Sequence, residues 1–274
     1  MPISSRTIPI RSDKLTMSFS VLETLCDEQS QFQQITVLST EVFGDVLLLD
    51  GHIQLSTFDE AAYHELLVRL PANSISDPKR VLIIGGGDGG ALREALKING
   101  IERVTMVEID EQVIALSRQH LPTLSAGAFD DPRSNVIIGD AFAYVQGCTD
   151  HFDLIIVDST DIYEEEVGEL SAALWTEAFY HDLLGLLSPG GIVVTQADNA
   201  VFCGYSVKEV SDRFAKVFTI TGTYAGLVPS FGGVSAFVYG SQDQPLRKEF
   251  AGGDHRYLSP VTYALALDFP SFGR

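Results

Sequence analysis

Two hydrophobic patterns divide the chain. Over residues 1–70, short apolar segments with strand composition are separated by polar turn residues such as Asp50-Gly51. This pattern predicts strands at residues 16–22, 33–38 and 46–49, with a turn signal at Asp27-Glu28. The N-terminal part is therefore predicted to be a small antiparallel β domain.

After residue 70 the pattern changes, because short apolar runs alternate with segments of helical periodicity. A helix is predicted from residue 59 to about residue 70, ended by Pro71. The later strands are predicted at residues 81–84, 103–107, 136–138, 154–157, 192–195, 217–223 and 236–239, and the later helices at 89–97, 111–120, 175–187 and 207–214. This alternation predicts an α/β catalytic domain over residues 71–274, with a doubly wound, mostly parallel, Rossmann-like sheet.

The first strand of this second region leads into a glycine-rich turn, Gly85 to Gly90. Glycines let the backbone turn sharply and approach a ligand, and Glu108 at the end of the next strand can accept hydrogen bonds from both ribose hydroxyls. The glycine spacing alone fits either a nicotinamide or an S-adenosyl ligand. Asp88 favours the second, because a carboxylate in the turn repels a pyrophosphate and attracts a sulfonium ligand that carries an ammonium group.

Polar side chains follow the first five predicted strands of the second region, at the edge where the ligand of such a sheet binds. A single acidic residue at a strand end is most often a helix N-cap or a turn residue. Here the first four strands all end in carboxylates, and the fifth ends in Gln196. The carboxylates are Asp88, Glu108, Asp110, Asp140, Asp158 and Asp161. Their convergence on one crevice predicts a site for a cationic ligand.

Composition and charge narrow the class of protein. The formal net charge of −19 disfavours nucleic acid as a partner and fits a cationic small molecule or simple solubility. The three cysteines are widely separated and odd in number, so we expect reduced thiols and no metal site. No apolar run reaches the ~18 residues that cross a bilayer, and the N-terminus has no signal segment, so a soluble, cytoplasmic protein is expected.

Several motifs together resemble the spermidine synthases, the polyamine aminopropyltransferases, over nearly the whole chain. They are Leu49 to Gln54, Asp59 to Glu65, the glycine-rich turn, Glu108-Ile109-Asp110, Gly139-Asp140 and Asp158 to Asp161. The resemblance implies that decarboxylated S-adenosylmethionine, as co-substrate, donates its aminopropyl group to an amine such as putrescine and leaves methylthioadenosine. It also implies a homodimer or homotetramer and no permanently bound cofactor.

The resemblance also implies roles for individual residues on the donor side. Glu108 would bind the ribose, Asp140 with the backbone of Ala141 the adenine edge, and Asp88 the terminal ammonium of the donor. The remaining donor-binding residues would be Gln33, Gln54, Gly85 and Gly87.

On the acceptor side, Asp158 would be the catalytic base, and Tyr63 a second catalytic residue that shares the hydrogen bonds of the amine. The acceptor-binding residues would be His64, Asp88, Asp158, Asp161 and Gln196. Ordinary structural readings stand beside two of these: Tyr63 as an aromatic packed on the sheet, and His64 as half of a structural pair with a glutamate.

The departures from the family lie on the acceptor side. The family continues after Asp161 with proline and a Gly-Pro-Ala turn, which this chain lacks, and Phe231 stands where the family has a tyrosine that touches the amine. We therefore expect a longer or more cationic acceptor, whose additional ammonium groups would bind to Glu164-Glu165-Glu166. The alternative is that this acidic run is only a solvated loop.

Three other classes stay open at this point. An S-adenosylmethionine-dependent amine N-methyltransferase and a non-catalytic polyamine- or nucleoside-binding paralogue both fit the scaffold. A nicotinamide oxidoreductase is disfavoured by Asp88 and by the lack of a hydride-transfer constellation such as Tyr-x-x-x-Lys.

Overall fold

The computed structural model describes residues 4–10, 12–159 and 174–269. The first domain is an antiparallel sheet whose five strands follow one another in chain order. They are β1 (Ser4–Ile10), β2 (Ser12–Gln29), β3 (Gln34–Thr40), β4 (Gly44–Leu49) and β5 (His52–Ser56). The predicted antiparallel domain is confirmed, although β1 and β5 were not predicted.

The predicted turn at Asp27-Glu28 is wrong, because both residues belong to the long strand β2 and pair with Thr36 and Ile35 of β3. The Asp27 carboxylate accepts hydrogen bonds from the side chains of Gln34 at 2.7 Å and Thr36 at 3.0 Å. Cross-strand bonds of this kind keep a polar dipeptide inside a strand. Two register shifts in β2 also let this strand bend.

A continuous helical segment links the two domains. It consists of α1 (Glu60–His64), a π-helical turn (Glu65–Arg69) and α2 (Leu70–Ala72). The prediction that Pro71 ends this helix is wrong by one residue, since the segment continues through Pro71 to Ala72 and the Asn73 N–H still donates to the Arg69 oxygen. The predicted domain boundary at residue 70 stays a prediction. Leu66, Leu67 and Leu70 lie on the N-terminal side of this boundary and pack in the core of the second domain.

The second sheet has seven strands in the order β11-β12-β10-β9-β6-β7-β8. They are β6 (Arg80–Gly85), β7 (Arg103–Glu108), β8 (Ser134–Ile138), β9 (Phe152–Asp158), β10 (Leu187–Asn199), β11 (Ile220–Val228) and β12 (Gly233–Ser241). Strands β6 to β10 pair in parallel, whereas β12 runs antiparallel to β10 and β11. The predicted doubly wound, mostly parallel sheet is confirmed. Its strand order reverses at β6, which pairs with both β7 and β9, and ligands bind at such a switch point.

Helices cover both faces of this sheet, and an apolar core lies on each side. They are α3 (Gly90–Leu96), α4 (Glu111–His120), α5 (Pro122–Ser125), α6 (Ala141–Gly147), α7 (Glu177–Gly185), α8 (Gly204–Val217) and α9 (Pro260–Leu267). The strand predicted from residue 217 starts only at Ile220, because Val217 completes the buried face that Val210 and Phe214 form on α8. Within the described residues, none of the helices combines the length and apolar character that a membrane-spanning helix needs.

Candidate active site

A cavity of about 620 Å³ opens at the carboxyl ends of the five strands β6 to β10. The N-terminal sheet covers its other side, with Ile10 and Gln54 among the lining residues. A volume of this size is typical of pockets that enclose small organic ligands. The cavity therefore lies at the switch point of the sheet and depends on both domains.

Nearly all side chains that the sequence analysis singled out meet in this cavity. Its walls include the predicted donor-binding residues Gln33, Gln54, Gly85, Gly87, Asp88, Glu108, Asp140 and Ala141. They also include Tyr63, Asp158 and Gln196 from the predicted acceptor side. His64 is not a lining residue, and Asp161 and the run Glu164-Glu165-Glu166 lie outside the described residues.

The glycine-rich turn is shaped by its protein neighbours. Gly85 has a φ of +81°, and a Cβ there would lie 2.3 Å from the backbone oxygen of Asp158. A Cβ on Gly87 would lie 2.8 Å from Oε2 of Glu108. These positions need glycine so that the turn can lie against β9 and against the carboxylate at the end of β7.

Glu108 is buried at the carboxyl end of β7. Its Oε2 accepts a hydrogen bond from the Gly87 N–H at 3.0 Å, and its Oε1 accepts one from the Asp110 N–H at 2.9 Å. Burial raises the pKa of Glu108 to about 7, although these backbone donors act against the shift. The turn thus orients the carboxylate, which can accept two further hydrogen bonds from vicinal hydroxyls of a ligand.

Two other strand-end carboxylates cap helices. Oδ1 of Asp140 accepts from the Phe142 N–H at the start of α6, at 2.9 Å. Asp110 caps α4, and its Oδ2 also accepts from Ser30 Oγ at 2.6 Å and from Gln33 Nε2 at 3.1 Å. Asp110, which the sequence analysis grouped with the site acids, therefore joins the first domain to the second and positions Gln33.

Asp158 and Tyr63, which both line the cavity, are in direct side-chain contact. The Tyr63 hydroxyl donates to Oδ1 of Asp158 at 2.7 Å. Oδ2 of Asp158 is buried and has no hydrogen-bond partner among the described residues. Burial, followed by the charge of Asp88, raises the pKa of Asp158 to about 6. This carboxylate can accept a proton from a bound ligand more readily than an exposed aspartate can.

An aromatic wall lies beside this pair. The ring of Tyr63 packs edge-on against Phe231, with centroids 5.4 Å apart, and lies 5.6 Å from the ring of Phe237. Phe231 ends a short 3-10 turn, Pro229–Phe231, in which the N–H and the hydroxyl of Ser230 both donate to the Asp59 carboxylate at 2.7 Å. Tyr63 thus packs in the core and also hydrogen-bonds in the cavity.

Gln196 of β10 connects this strand to the residue that follows β9. Its Nε2 donates to the backbone oxygen of Ser159 at 3.1 Å, and its Oε1 accepts from the Asp198 N–H at 2.9 Å. The strand register shifts between Gln196 and Asn199, and Asp198 has a φ of 71°. Bulges re-aim side chains, and Asp198 lines the cavity. The sequence analysis missed Asp198, although the same search for acids at strand ends, extended by two residues, would have found it.

The fold and the site together define a class of protein. A glycine-rich turn with a carboxylate at the next strand end suits a nucleoside, and Asp88 and Asp158 suit positively charged groups beside it. This is the arrangement of an α/β transferase with an S-adenosyl type of ligand.

The comparisons with known proteins agree with this class. Residues 60–249 match the family described as the spermine/spermidine synthase domain, and residues 7–57 match the spermidine synthase tetramerisation domain. A polyamine aminopropyltransferase of Desulforudis audaxviator is 38% identical over 267 residues, which cover 96% of this chain and 95% of the relative. One from Pyrobaculum calidifontis is 41% identical over 217 residues, 78% of this chain and 74% of that protein.

Solved structures give the same result. A crystal structure of spermidine synthase in complex with the transition state analogue AdoDATO has a TM-score of 0.91 at 29% identity, covering 99% of this chain and 94% of that one. Spermidine synthase from Thermotoga maritima has a TM-score of 0.87 at 28% identity, with coverages of 99% and 93%. The chain belongs to the spermine/spermidine synthase family, and the predicted class, an aminopropyltransferase, is confirmed.

Proposed function

We propose that the chain transfers the aminopropyl group of decarboxylated S-adenosylmethionine to an amine acceptor such as putrescine and releases methylthioadenosine. The observation that carries this proposal is the pair Asp88 and Asp158, which line the same cavity as Glu108. Two carboxylates allow one cationic group to be bound for the donor and one for the acceptor. The names of the relatives and the AdoDATO complex of the neighbour support this reading.

The donor would lie across the carboxyl ends of β6, β7 and β8. Glu108 accepts hydrogen bonds from the ribose hydroxyls, and Asp140 with the Ala141 backbone meets the adenine edge. Gln33 and Gln54 contact the remaining nucleoside and its tail, while the turn at Gly85 and Gly87 leaves room for the ligand. These contacts suit methylthioadenosine, the product, as well as the donor.

Asp88 selects the donor by charge. It binds the terminal ammonium of decarboxylated S-adenosylmethionine and repels the carboxylate that ordinary S-adenosylmethionine carries at that end. This repulsion argues against the N-methyltransferase alternative. The buried Oδ2 of Asp158 meets no protein donor among the described residues, so a proton acceptor is present and the site does not favour a non-catalytic binding protein.

The acceptor amine must lose a proton before its nitrogen can attack. With the lysine pKa of ~10.4 as a proxy, the pKa of the amine lies about 3.4 units above pH 7. Removing its proton at pH 7 therefore costs roughly 4.6 kcal/mol. Burial and the charge of Asp88 raise the pKa of Asp158 to about 6, which reduces the difference between the pKa of this carboxyl and that of the amine. The nitrogen attacks the carbon next to sulfur, the C–S electron pair returns to sulfur to give a neutral thioether, and Oδ2 of Asp158 takes the proton. Tyr63 holds Asp158 and shares the hydrogen bonds of the amine, and Gln196 and Asp161 complete its binding.

We also propose a homo-oligomer, a dimer or tetramer, that assembles through the β1 to β5 sheet. The match of residues 7–57 to a family described as a tetramerisation domain supports this. The chemistry needs no metal and no permanently bound cofactor. The cytoplasmic location stays a prediction.

Mass spectrometry of reaction products tests the proposal. Purified protein is given decarboxylated S-adenosylmethionine or S-adenosylmethionine, each with putrescine, cadaverine, agmatine, spermidine or spermine. We expect an acceptor to gain an aminopropyl unit from the first donor, with release of methylthioadenosine. A methyl gain from the second donor would identify a methyltransferase, and no transfer from either donor would support the binding-only alternative.

A further inference from the structure

A buried ionic chain runs behind the wall of the cavity, from Glu60 through His64 to Asp88. The side chain of His64 is 1% exposed, its Nδ1 lies 2.8 Å from Oε2 of Glu60, and its Nε2 lies 3.4 Å from Oδ1 of Asp88. His64, Asp88 and Asp158 each place one polar atom within 4.8 Å of the other two. The imidazole therefore lies close to both site carboxylates.

The glycine-rich turn is built to accept this imidazole. A Cβ on Gly90 would lie 2.1 Å from Cε1 of His64, so a larger residue cannot occupy that position without moving the ring. The N–H of Gly90 in turn donates to Oδ1 of Asp88 at 2.6 Å. His64, Asp88 and Gly90 thus form one packed unit, in which the last glycine of the motif makes room for a side chain of the protein.

The charges around this unit are unevenly distributed. Arg93 and Arg256 both contact Glu60, at 2.8 Å and 2.6 Å. Among the described residues, the basic side chain within ion-pair distance of Asp88 is His64. Burial acts against ionised Glu60, but hydrogen bonds and charges from His64 and Arg93 lower its pKa to about 2. Glu60 is therefore a fixed anion that orients the ring and holds a proton on Nδ1.

We infer that His64 is a buried imidazolium counter-ion that keeps Asp88 and Asp158 ionised together, and that it acts through these carboxylates as a positioning residue without touching the amine. Two carboxylates in one low-dielectric site otherwise share a proton. The inference rests on the proposed function, because only a reaction that uses both anions needs them charged at once. It differs from the acceptor-binding role expected from the sequence.

The electrostatics around the unit agree with this geometry. Burial acts against the charged ring, but Asp88 and Glu60 outweigh it and raise the pKa of His64 to about 10. The same ring lowers the pKa of Asp88, against the effect of burial. Burial and Asp88 raise the pKa of Asp158, while His64 and Tyr63 oppose that rise. Without the imidazolium, the pair Asp88 and Asp158 would therefore bind a proton at a higher pH.

The direct test is the pH profile of kcat/KM for the amine, measured with saturating donor from about pH 5.5 to 9.5 in the wild type and in His64→Gln. We expect the acidic limb of the variant to move up by at least about one pH unit, so that activity falls about tenfold or more at pH 6.5 and returns to within about threefold at pH 9.5. A loss of equal size at every pH would overturn the inference, because that is the effect of a purely structural role.

His255→Gln is the matched control. The side chain of His255 is only 5% exposed, and its Nδ1 lies 3.7 Å from Oε2 of Glu65, which belongs to the same helical segment as Glu60 and His64. It does not line the cavity. The same chemical change there is expected to leave the acidic limb in place, and a shift as large as that of His64→Gln would contradict the assignment.

Side-chain nitrogen NMR of the wild type, without substrates, covers the case in which His64→Gln does not fold. The chain has six histidines, of which His64 and His255 lie beside glutamates. The signals that disappear in His255→Gln belong to His255, so the two rings can be told apart. We expect the His64 ring to stay doubly protonated at pH 8. A neutral His64 ring at that pH would overturn the inference. Because this measurement needs no turnover, failure of the counter-ion is distinguishable from failure of the proposed reaction.

Discussion

The two ends of the cavity are built in different ways. At the donor end, backbone N–H groups hold the carboxylates: Gly87 and Asp110 for Glu108, Phe142 for Asp140, and Gly90 for Asp88. At the proposed acceptor end, each contact needs a side chain from a distant element, since the Tyr63 hydroxyl donates to Asp158 and the Asp59 carboxylate accepts from the N–H and the hydroxyl of Ser230, beside Phe231. Main-chain donors survive most substitutions, whereas a side-chain contact is lost with either partner. We therefore expect the contacts of the proposed donor end to survive substitution of the donating residues, and those of the proposed acceptor end to be lost on substitution of either partner.

The largest expected effect comes from Asp158→Asn at the acceptor end. The amide keeps the shape of the side chain but cannot take a proton, so kcat should fall by about a thousandfold or more. Affinity for methylthioadenosine should stay within about threefold, since the donor end is intact. Single-turnover kinetics and calorimetric titration of methylthioadenosine measure the two quantities, and near-normal turnover would exclude Asp158 as the base.

Asp88→Asn tests how the donor end recognises charge. Loss of an ionic hydrogen bond to an ammonium group costs about 1.5–3 kcal/mol, so the Kd of decarboxylated S-adenosylmethionine should rise about 10- to 150-fold. Methylthioadenosine has no ammonium and should bind as before. Equal losses for both ligands in a binding titration would mean that Asp88 acts only through the shape of the turn.

The pH dependence of nucleoside binding is expected to follow Glu108. Its carboxylate must be ionised to accept from both ribose hydroxyls, so ligand binding favours the charged form and affinity must rise with pH. Burial raises the pKa of Glu108 to about 7. The Kd of methylthioadenosine should therefore fall about tenfold from pH 6 to pH 8 and then level off. Glu108→Gln should bind more weakly with no such slope, and a slope that survives in this variant would assign the titration to another group.

The smallest effect is expected from Phe231→Tyr, which adds a hydroxyl to the aromatic wall beside Tyr63. The KM of the amine should change by about threefold, while the affinity for methylthioadenosine stays constant, because the ring lies on the acceptor side. Comparing several diamines and polyamines in the product assay would show whether this hydroxyl also shifts acceptor preference. A change in donor affinity would mean that the two ends are coupled more tightly than their construction suggests.

Much of the donor end could be predicted from the sequence because it is local. A strand, a glycine-rich turn and a helix follow one another within about 20 residues. Glu108 and Asp140 could be predicted because each lies at the end of a predicted strand. Asp110 was grouped with them, yet it caps a helix and holds Ser30 and Gln33. Asp198 was missed because a bulge, which periodicity does not reveal, turns it into the cavity.

By itself, the sequence determined the order and type of most elements, the antiparallel and parallel halves of the fold, and the polar ends of the parallel strands, since these depend on hydrophobic period and on neighbouring residues. The tertiary structure alone decided that β12 pairs antiparallel with β10, and that Gly90 is small because His64 lies against it. It also decided the placing of Tyr63 on Asp158. Each of these depends on a contact between residues far apart in the chain, and no local pattern encodes which distant partner a side chain meets.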